Sequence, residues 1–262
     1  MILKRVSIAG ADQTCRIEDL FALSREFPFV EWGILIKSSG SNPTHRYPEL
    51  NWIDELCRKN REAATPMNLS LHVCGGIIKD IFKRGDKLWQ FFCGEPKKNK
   101  GYETRVTNMD ETLRSFQRIQ LNFTAADHRK YSADMAPALL ELPGEHQFII
   151  QALAPEFDPT GENVTTGWTL RDAGVDVVFL HDASAGHGVA TQDWLEPIGD
   201  FCGYAGGLNP ENLEENLELI EIVAGDTPIW ADMESGVRDE NDLFVLDRVQ
   251  KVLEIAKPWI KD

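Results

Sequence analysis

The sequence predicts a closed (β/α)8 barrel, the TIM-barrel fold, as a single domain over residues 1–262. Its length of 262 residues suits one large barrel domain. Short apolar runs alternate with longer amphipathic segments from end to end, which is typical of a parallel sheet covered by helices. We count eight such apolar runs, the number that closes this barrel. An open doubly wound sheet is the alternative.

The eight apolar runs are predicted as strands, and glycine follows several of them directly. They cover residues 6–9, 33–36, 68–74, 118–123, 147–151, 175–180, 201–205 and 228–232. Amphipathic spacing predicts helices over 17–26, 49–60, 77–82, 210–223 and 239–257. Residues 83–107 contain three glycines, a proline and a short lysine run, and we predict an enlarged loop there between the third and fourth units.

Composition narrows the class of partner. The formal charge of −15 disfavours binding to nucleic acid phosphates and to anionic lipid. No apolar run approaches the ~20 residues that a membrane span needs, and the amino terminus does not resemble a signal peptide. The five cysteines are widely spaced and form no CxxC pair, so neither a disulfide framework nor a zinc knuckle is indicated. We expect a cytoplasmic protein.

In such a barrel the reacting groups lie where each strand ends and its following loop begins. The predicted strand ends carry hydrogen-bonding and titratable groups, which suit a substrate with polar groups spread along its length. These groups are Asp12, Lys37, Cys74, Asn122, Gln151, His181, Asp182 and Asp232. Gln120 and Asn122 point the same way from their strand and are predicted to line a substrate pocket; a polar layer inside the barrel is the alternative.

Two loops near the carboxyl terminus predict a phosphate site. Gly206, Gly207 and Leu208 follow the seventh strand, and residues 235–237 follow the eighth. Glycine lets backbone N–H groups approach a ligand closely, and the helix that begins near Pro210 presents its positive end there. The loops after strands seven and eight are the usual phosphate site of this architecture. We therefore assign Ser235, Gly236 and Val237 to phosphate binding; two tight turns are the alternative.

Three segments resemble the phosphoribosylanthranilate isomerase family of tryptophan biosynthesis. Residues 205–213 read AGGLNPENL against A-G-G-L-x-P-x-N-V, and residues 232–237 read DMESGV against D-x-S-S-G-V. Residues 180–188 read LHDASAGHG against L-D-x-x-x-G-G-T-G, with one residue inserted before the aspartate. The resemblance extends over most of the chain and is specific in its last third. It implies this fold and a phosphorylated ligand.

The family performs an Amadori rearrangement of an aminoaldose phosphate to an aminoketose phosphate, without a cofactor. An acid protonates the ring oxygen as the sugar opens, and a base removes a proton from the neighbouring carbon. The resemblance places Asp182 at the acid position, with His181 as an alternative alignment and a turn-capping aspartate as the structural alternative. It also adds Gly186 and Gly188 to the phosphate loops. Arg46 matches the arginine that holds the substrate's carboxylate; a surface arginine is the alternative.

The family's base is a cysteine on strand one, where this sequence has Ala9. Alanine cannot accept a proton, so another residue must act if the reaction occurs. The candidates are Asp12, Cys15 and Cys74, and the sequence does not choose among them. A thiol acts as a base only when a nearby cation or a helix amino terminus lowers its pKa.

Two other functions stay open at this point. The chain could be a sugar-phosphate lyase, aldolase or epimerase, for which Lys37 is the lysine at the mouth that could form a Schiff base. It could instead be a non-catalytic binder of phosphorylated ligands. In each case we expect a phosphorylated small molecule as partner, no nucleic acid, no membrane and no cofactor, with a homodimer possible. His181, Asp182 and His187 match no standard metal-ligand spacing, so no metal is expected.

Overall fold

Eight parallel strands close into a barrel in chain order, and β1 pairs with β8 to complete it. The computed structural model describes residues 1–37, 45–75, 109–122, 125–183, 191 and 193–261. The strands are β1 (Ile2–Ala9), β2 (Val30–Lys37), β3 (Asn68–Cys74), β4 (Arg118–Leu121), β5 (Gln147–Leu153), β6 (Val177–Asp182), β7 (Cys202–Ala205) and β8 (Pro228–Met233). The predicted (β/α)8 barrel is therefore confirmed, and the open sheet is wrong.

Helices surround the barrel in alternation with the strands. They are α1 (Ile17–Glu26), α2 (Leu50–Glu62), α3 (Met109–Arg114), α4 (Ala125–Leu140), α5 (Glu162–Asp172), α6 (Leu213–Ala224) and α7 (Leu246–Ala256). Helices α3, α4 and α5 were not among the predicted elements, although each lies in its proper place between two strands. The predicted helix over 77–82 and the enlarged loop over 83–107 lie outside the described residues.

The prediction of one helix over 239–257 is wrong in its first third. Helix α7 begins at Leu246, and a turn precedes it. The Asp239 carboxylate accepts hydrogen bonds from the N–H groups of Asn241 and Leu243 at 2.9 and 2.8 Å, and Asp242 has φ of 61°. An aspartate that satisfies local N–H groups in this way competes with the helix.

Alternate side chains of each strand point into the barrel or out toward the helices. On β1 the apolar Val6 and Ile8 face the helices and belong to the main core. The opposite face of the strands carries charge at the base of the barrel. There Arg118 donates to both carboxylate oxygens of Glu31 at 2.6–3.1 Å, and Arg5 adds a 2.6 Å contact. Burial raises the pKa of Glu31, but the two arginines outweigh it and lower the pKa overall.

An aromatic side chain covers this ion pair. The Trp230 ring lies 4.2 Å from the Arg118 guanidinium carbon, a cation–π contact. Gly203 on the neighbouring strand makes room for that ring, because a Cβ there would collide with Trp230. The base of the barrel is thus filled by side chains, so a ligand can enter only from the other end.

No helix in the described part of the chain is long and apolar enough to cross a membrane.

Candidate active site at the carboxyl ends of the strands

Residues at the carboxyl ends of six strands, β3 to β8, meet around one cavity. The cavity is also bounded by the loops that follow β7 and β8. Its polar lining from the strands comprises His72, Gln120, Asn122, Gln151, Asp182 and Asp232. Gln120, Asn122 and Asp182 were predicted for this place with a role. Gln151 and Asp232 were predicted at the mouth without one, and His72 was not predicted there.

Two buried carboxylates, Asp182 on β6 and Asp232 on β8, flank β7. Asp182 is 4% exposed, and the Gln151 amide donates to its Oδ2 at 2.8 Å. Burial raises the pKa of Asp232 to about 7; Ser7 and Arg118 oppose the rise, and the charge of Asp182 adds to it. Near neutral pH the cavity therefore contains a carboxyl that still carries a proton in part of the molecules.

Asp12, a candidate base, is held in a structural network. It is fully buried, and its Oδ1 accepts hydrogen bonds from the N–H and hydroxyl of Thr14 at 2.8 and 2.6 Å. Its Oδ2 lies 3.5 Å from Nη2 of Arg238, which also donates to the Gly10 carbonyl at 2.7 Å. These contacts join the end of β1 to the turn after β8. Cys15 donates to the Asp12 carbonyl at 3.0 Å, and burial raises its pKa to about 11.

Cys74 lies at the rim of the cavity as a neutral thiol. Burial raises its pKa to about 11, although hydrogen bonds from Asn122 and Tyr47 oppose the rise. The Asn122 amide nitrogen lies 3.2 Å from Sγ, and its Oδ1 accepts from Gln120 at 2.9 Å. Lys37, the lysine considered for a Schiff base, lies with its Nζ 4.0 Å from the Tyr47 ring centroid. The lowered thiol pKa that base catalysis by Cys74 requires is not found here.

The His72 imidazole fills the interior beside the end of β1. It is 2% exposed, and its Nε2 lies 3.2 Å from the Ser70 hydroxyl. A Cβ built on Gly33 would fall 2.8 Å from His72 Nε2 and 2.9 Å from the Cβ of Ala9, so the imidazole and Ala9 are neighbours across Gly33. Burial lowers the pKa of His72 to about 4, which keeps the ring neutral at physiological pH.

Arg46 reaches the mouth, where two carboxylates surround it. Its Nε donates to both oxygens of Asp242 at 2.9 Å, and its Nη1 donates to Glu234 Oε1 at 2.6 Å. These contacts hold its pKa above the ordinary arginine value. A substrate carboxylate would have to displace Glu234 to reach this guanidinium.

The two predicted phosphate loops touch each other. Gly206 and Gly207 have φ of 147° and 65°, values that favour glycine. A Cβ on Gly236 would collide with the carbonyl oxygen of Leu208, so the loops pack backbone to backbone. No described residue accepts a hydrogen bond from the N–H groups of Gly206, Gly207, Leu208, Ser235 or Gly236. Backbone N–H groups grouped in this way can bind an anion.

Two asparagines brace the first of these loops. Asn209 and Asn212 each donate to the Gly207 carbonyl at 3.1 Å, and each side-chain oxygen accepts the other residue's N–H. Val237 differs from the other predicted phosphate ligands. Its side chain is in the core, and its N–H donates to the Glu234 carbonyl at 3.4 Å, so it supports the turn.

His181 faces away from the cavity, which separates it from Asp182. Its Nε2 lies 2.8 Å from the Glu196 carbonyl, and its ring packs 5.4 Å from that of Tyr204. Of the two alignments considered for the acid, the structure places only Asp182 in the cavity.

Within the described residues no cluster of three potential metal ligands occurs. Gly186, Gly188 and His187 lie outside the described residues.

Two functional candidates were missed for different reasons. Asp232 is at a strand end within DMESGV, but its raised pKa depends on burial and on distant charges that the sequence does not show. His72 shares strand parity with Cys74, and this parity was the available signal. Its position beside Ala9 depends on the pairing of β1, β2 and β3, which only the closed barrel reveals.

Solved structures similar to this chain include phosphoribosylanthranilate isomerases. The enzyme from Thermus thermophilus is 17% identical with a TM-score of 0.54, over 97% of this chain and 98% of that one. TrpF from Jonesia denitrificans is 14% identical with a TM-score of 0.57, over 97% of each chain. A third, in complex with reduced 1-(o-carboxyphenylamino)-1-deoxyribulose 5-phosphate, is 14% identical with a TM-score of 0.51, over 98% of this chain and all of that one. No family model and no curated protein matches the sequence. At these identities the likeness shows the fold alone.

Proposed function

We propose that this protein is an isomerase of a phosphorylated sugar derivative and works by acid–base chemistry at the mouth of the barrel. The observation that carries the proposal is one cavity bounded by two kinds of group. Asp182 and Asp232 line it at the strand ends, and the loops that carry Gly206, Gly207 and Gly236 bound it beyond the ends of β7 and β8. A sugar phosphate has its phosphate at one end and its reacting carbons at the other, so it fits this arrangement.

The phosphate would bind to backbone N–H groups without a charged side chain in direct contact. Helix α6 begins at Leu213 and directs its amino terminus toward this region, which favours an anion. Arg248 donates to the Gly236 carbonyl at 3.1 Å and brings a positive charge beneath the loop. The predicted phosphate roles of Gly206, Gly207, Leu208, Ser235 and Gly236 belong to this proposal, with Val237 as a support.

The reaction we favour is an Amadori rearrangement, as in the family that the sequence resembles. Asp182 would protonate the ring oxygen as the bond from that oxygen to C1 breaks and a C1=N iminium forms. Asp232, whose pKa burial raises to about 7 with a smaller addition from the charge of Asp182, would keep a proton in the cavity near neutral pH. An ordinary surface aspartate does not hold a proton at that pH.

Gln120 and Asn122 would bind the sugar hydroxyls. Their linked amides form part of the cavity wall on β4. Arg46 would hold an anionic group at the outer end of the substrate only after Glu234 moves away, because Glu234 is 2.6 Å from it. The group attached to the sugar nitrogen would therefore lie beside Arg46, which is already paired with Glu234. A carboxylate on that group would compete with the Glu234 carboxylate for the guanidinium. A homodimer stays a prediction.

The experiment is the Asp182→Asn variant, assayed for turnover of phosphoribosylanthranilate and for binding of reduced 1-(o-carboxyphenylamino)-1-deoxyribulose 5-phosphate. General acid catalysis contributes about 10²- to 10⁴-fold, so we expect kcat to fall by at least about 100-fold. Affinity for the reduced analogue should change little, since the phosphate loops are intact. Asp176→Asn, an exposed carboxylate at the start of β6, is the matched control and should keep wild-type turnover. Wild-type turnover by Asp182→Asn would exclude this residue as the acid.

A further inference from the structure

We propose that His72 is the general base of the isomerisation and that its Nδ1 removes the proton from C2 of the sugar. This inference rests on the proposed function. Any aldose-to-ketose rearrangement needs a group in the site that accepts the C2 proton while electrons move toward C1. The structure contains a neutral imidazole on the cavity wall, opposite the carboxylate pair.

The other proton acceptors of the mouth are less suitable. Asp12 is bound to Arg238 and Thr14, and it does not line the cavity. Cys74 is a thiol with a raised pKa, and thiolate is the form that accepts protons. Asp182 and Asp232 are proposed to supply the ring-opening proton from one side of the cavity, and His72 provides a proton acceptor on the opposite wall.

The position of His72 is set by small residues around it. Gly33 on β2 leaves the volume that the imidazole occupies, because a Cβ there would fall 2.8 Å from Nε2. Ala9 on β1 borders the same space with only a methyl group. The ring therefore extends across β2 toward the end of β1 instead of lying over its own strand.

Ser70 orients the ring and selects which nitrogen can react. Its hydroxyl lies 3.2 Å from Nε2, whereas no described residue forms a hydrogen bond with Nδ1. If Nε2–H donates to the Ser70 oxygen, the lone pair is on Nδ1, which is free to accept a proton. A base positioned by a third group is the usual arrangement in acid–base sites.

The proton and electron balance closes without a co-reactant. After ring opening, Nδ1 takes the C2 proton, the C2–H electron pair forms a C1=C2 bond, and the iminium nitrogen becomes a neutral amine. The imidazolium then gives its proton to C1 while the enol hydroxyl gives its proton to the Asp182 carboxylate, which yields the aminoketose and restores both side chains. The imidazolium formed in between is favoured by the charge of Glu31, while Arg118 opposes it.

A weak base is sufficient for this step. Burial lowers the pKa of His72 to about 4, so the ring is unprotonated and available at neutral pH. The C2 proton of an iminium is far more acidic than that of the closed sugar, because its electrons are drawn toward a positive nitrogen. Because the C2–H bond is activated in this way, a weakly basic acceptor is enough to keep the barrier to proton transfer low.

The test is His72→Gln, whose amide nitrogen can still donate to Ser70 but which has no basic nitrogen. We expect kcat for phosphoribosylanthranilate to fall by about 10²- to 10⁴-fold. Affinity for the reduced carboxyphenylaminodeoxyribulose phosphate and the melting temperature should stay near wild type. His72→Ala should regain turnover when free imidazole is added, which a purely structural role would not produce. Turnover by His72→Gln within a few-fold of wild type, or no rescue of a folded His72→Ala, would overturn the assignment.

A measurement on the unmodified protein covers the case in which the variants do not fold. In ¹⁵N-histidine spectra His72 should be the Nε2–H tautomer with a bare Nδ1. A proton on Nδ1 would refute the proposal, because that nitrogen would have no lone pair to use. If the wild-type protein binds the analogue but never turns over the substrate, the proposed function fails instead.

Discussion

At the scale of single residues, burial separates groups of the same type into different chemical states. Asp232 has its pKa raised to about 7 by burial, whereas the pKa of the buried Glu31 is lowered because two arginines outweigh burial. The two basic side chains His72 and Arg46 also differ in charge. Burial keeps His72 neutral inside the barrel, whereas Asp242 and Glu234 keep Arg46 charged at the rim.

The raised pKa of Asp232 predicts a pH-dependent effect on stability. The folded protein holds this proton up to about pH 7, whereas the unfolded chain releases it near the ordinary value of 3.8. Folding therefore loses stability as pH rises through this window, and Asp232→Asn removes the loss. We expect the variant's advantage in free energy of unfolding to grow by about 2 kcal/mol between pH 5 and pH 8. Urea denaturation at both values measures it, and an advantage that does not change with pH would contradict the assignment.

Individual site residues also show which parts of the site could be predicted from the sequence and which could not. Asp182, Gln120 and Asn122 were found because strand ends and strand parity are local properties that a pattern reveals. His72 and Asp232 were given no role because their roles depend on neighbours from other strands, such as Ala9 of β1 for His72 and Arg118 of β4 for Asp232. Asp12 and Arg46 were identified as polar groups near the mouth, but their ion-pair partners Arg238 and Asp242 come from the other end of the sequence.

At the scale of elements, the loops after β7 and β8 act as one structure. They pack through Gly236 and Leu208, and the paired asparagines Asn209 and Asn212 hold the Gly207 carbonyl. This fixed backbone is preorganised for an anion, because little further order is needed when a ligand binds. The turn over 239–245 belongs to the same assembly, since it places Arg238 and Asp242 against the end of β1 and against Arg46.

Gly207→Ala should weaken phosphate binding through this element. Its φ of 65° strains any other residue, and relaxation of the strain would turn the N–H groups of the loop away. We expect affinity for the reduced analogue to fall roughly 10- to 100-fold, as for the loss of one or two charge-assisted hydrogen bonds. The measurement is isothermal titration calorimetry.

Gly225→Ala is the matched control for Gly207→Ala. Gly225 has φ of 53°, nothing lies within 4 Å of its added Cβ, and it precedes β8 at the opposite end of the barrel. We expect both variants to lose a similar amount of stability and only Gly207→Ala to lose affinity for the reduced analogue. Unchanged affinity in Gly207→Ala would remove the loop from the phosphate site.

Strands were easier to predict than helices in this fold. The predicted run 68–74 coincides with β3, where apolar residues alternate with Asn, Ser and His because one face of the strand packs on the helices and the other points into the barrel. Helix α5 has polar residues around most of its surface, and it packs against β6 partly through Gly167, where a Cβ would collide with Phe179. A helix that packs through one close approach of this kind has no clear apolar stripe, so its sequence pattern does not predict it.

At the scale of the whole molecule, the barrel separates stability from chemistry. Its amino-terminal end is filled by Glu31, Arg118 and Trp230, whose contacts close the interior. Its carboxyl-terminal end contains the cavity, the two buried carboxylates and the loops that we propose bind the phosphate. This division is general for the fold, and it is why length and strand rhythm predict the architecture while the reaction depends on a few side chains.

The central claim is that this mouth isomerises a phosphorylated aminosugar, and turnover of freshly prepared phosphoribosylanthranilate tests it most directly. The purified protein is mixed with the substrate, and loss of the substrate's fluorescence is followed with Asp182→Asn as the inactive reference. The account predicts conversion by the wild-type protein and at least about 100-fold less by the variant. A folded wild-type protein that binds the reduced analogue and yields no product would contradict the claim, and the barrel would then serve another reaction or ligand binding alone.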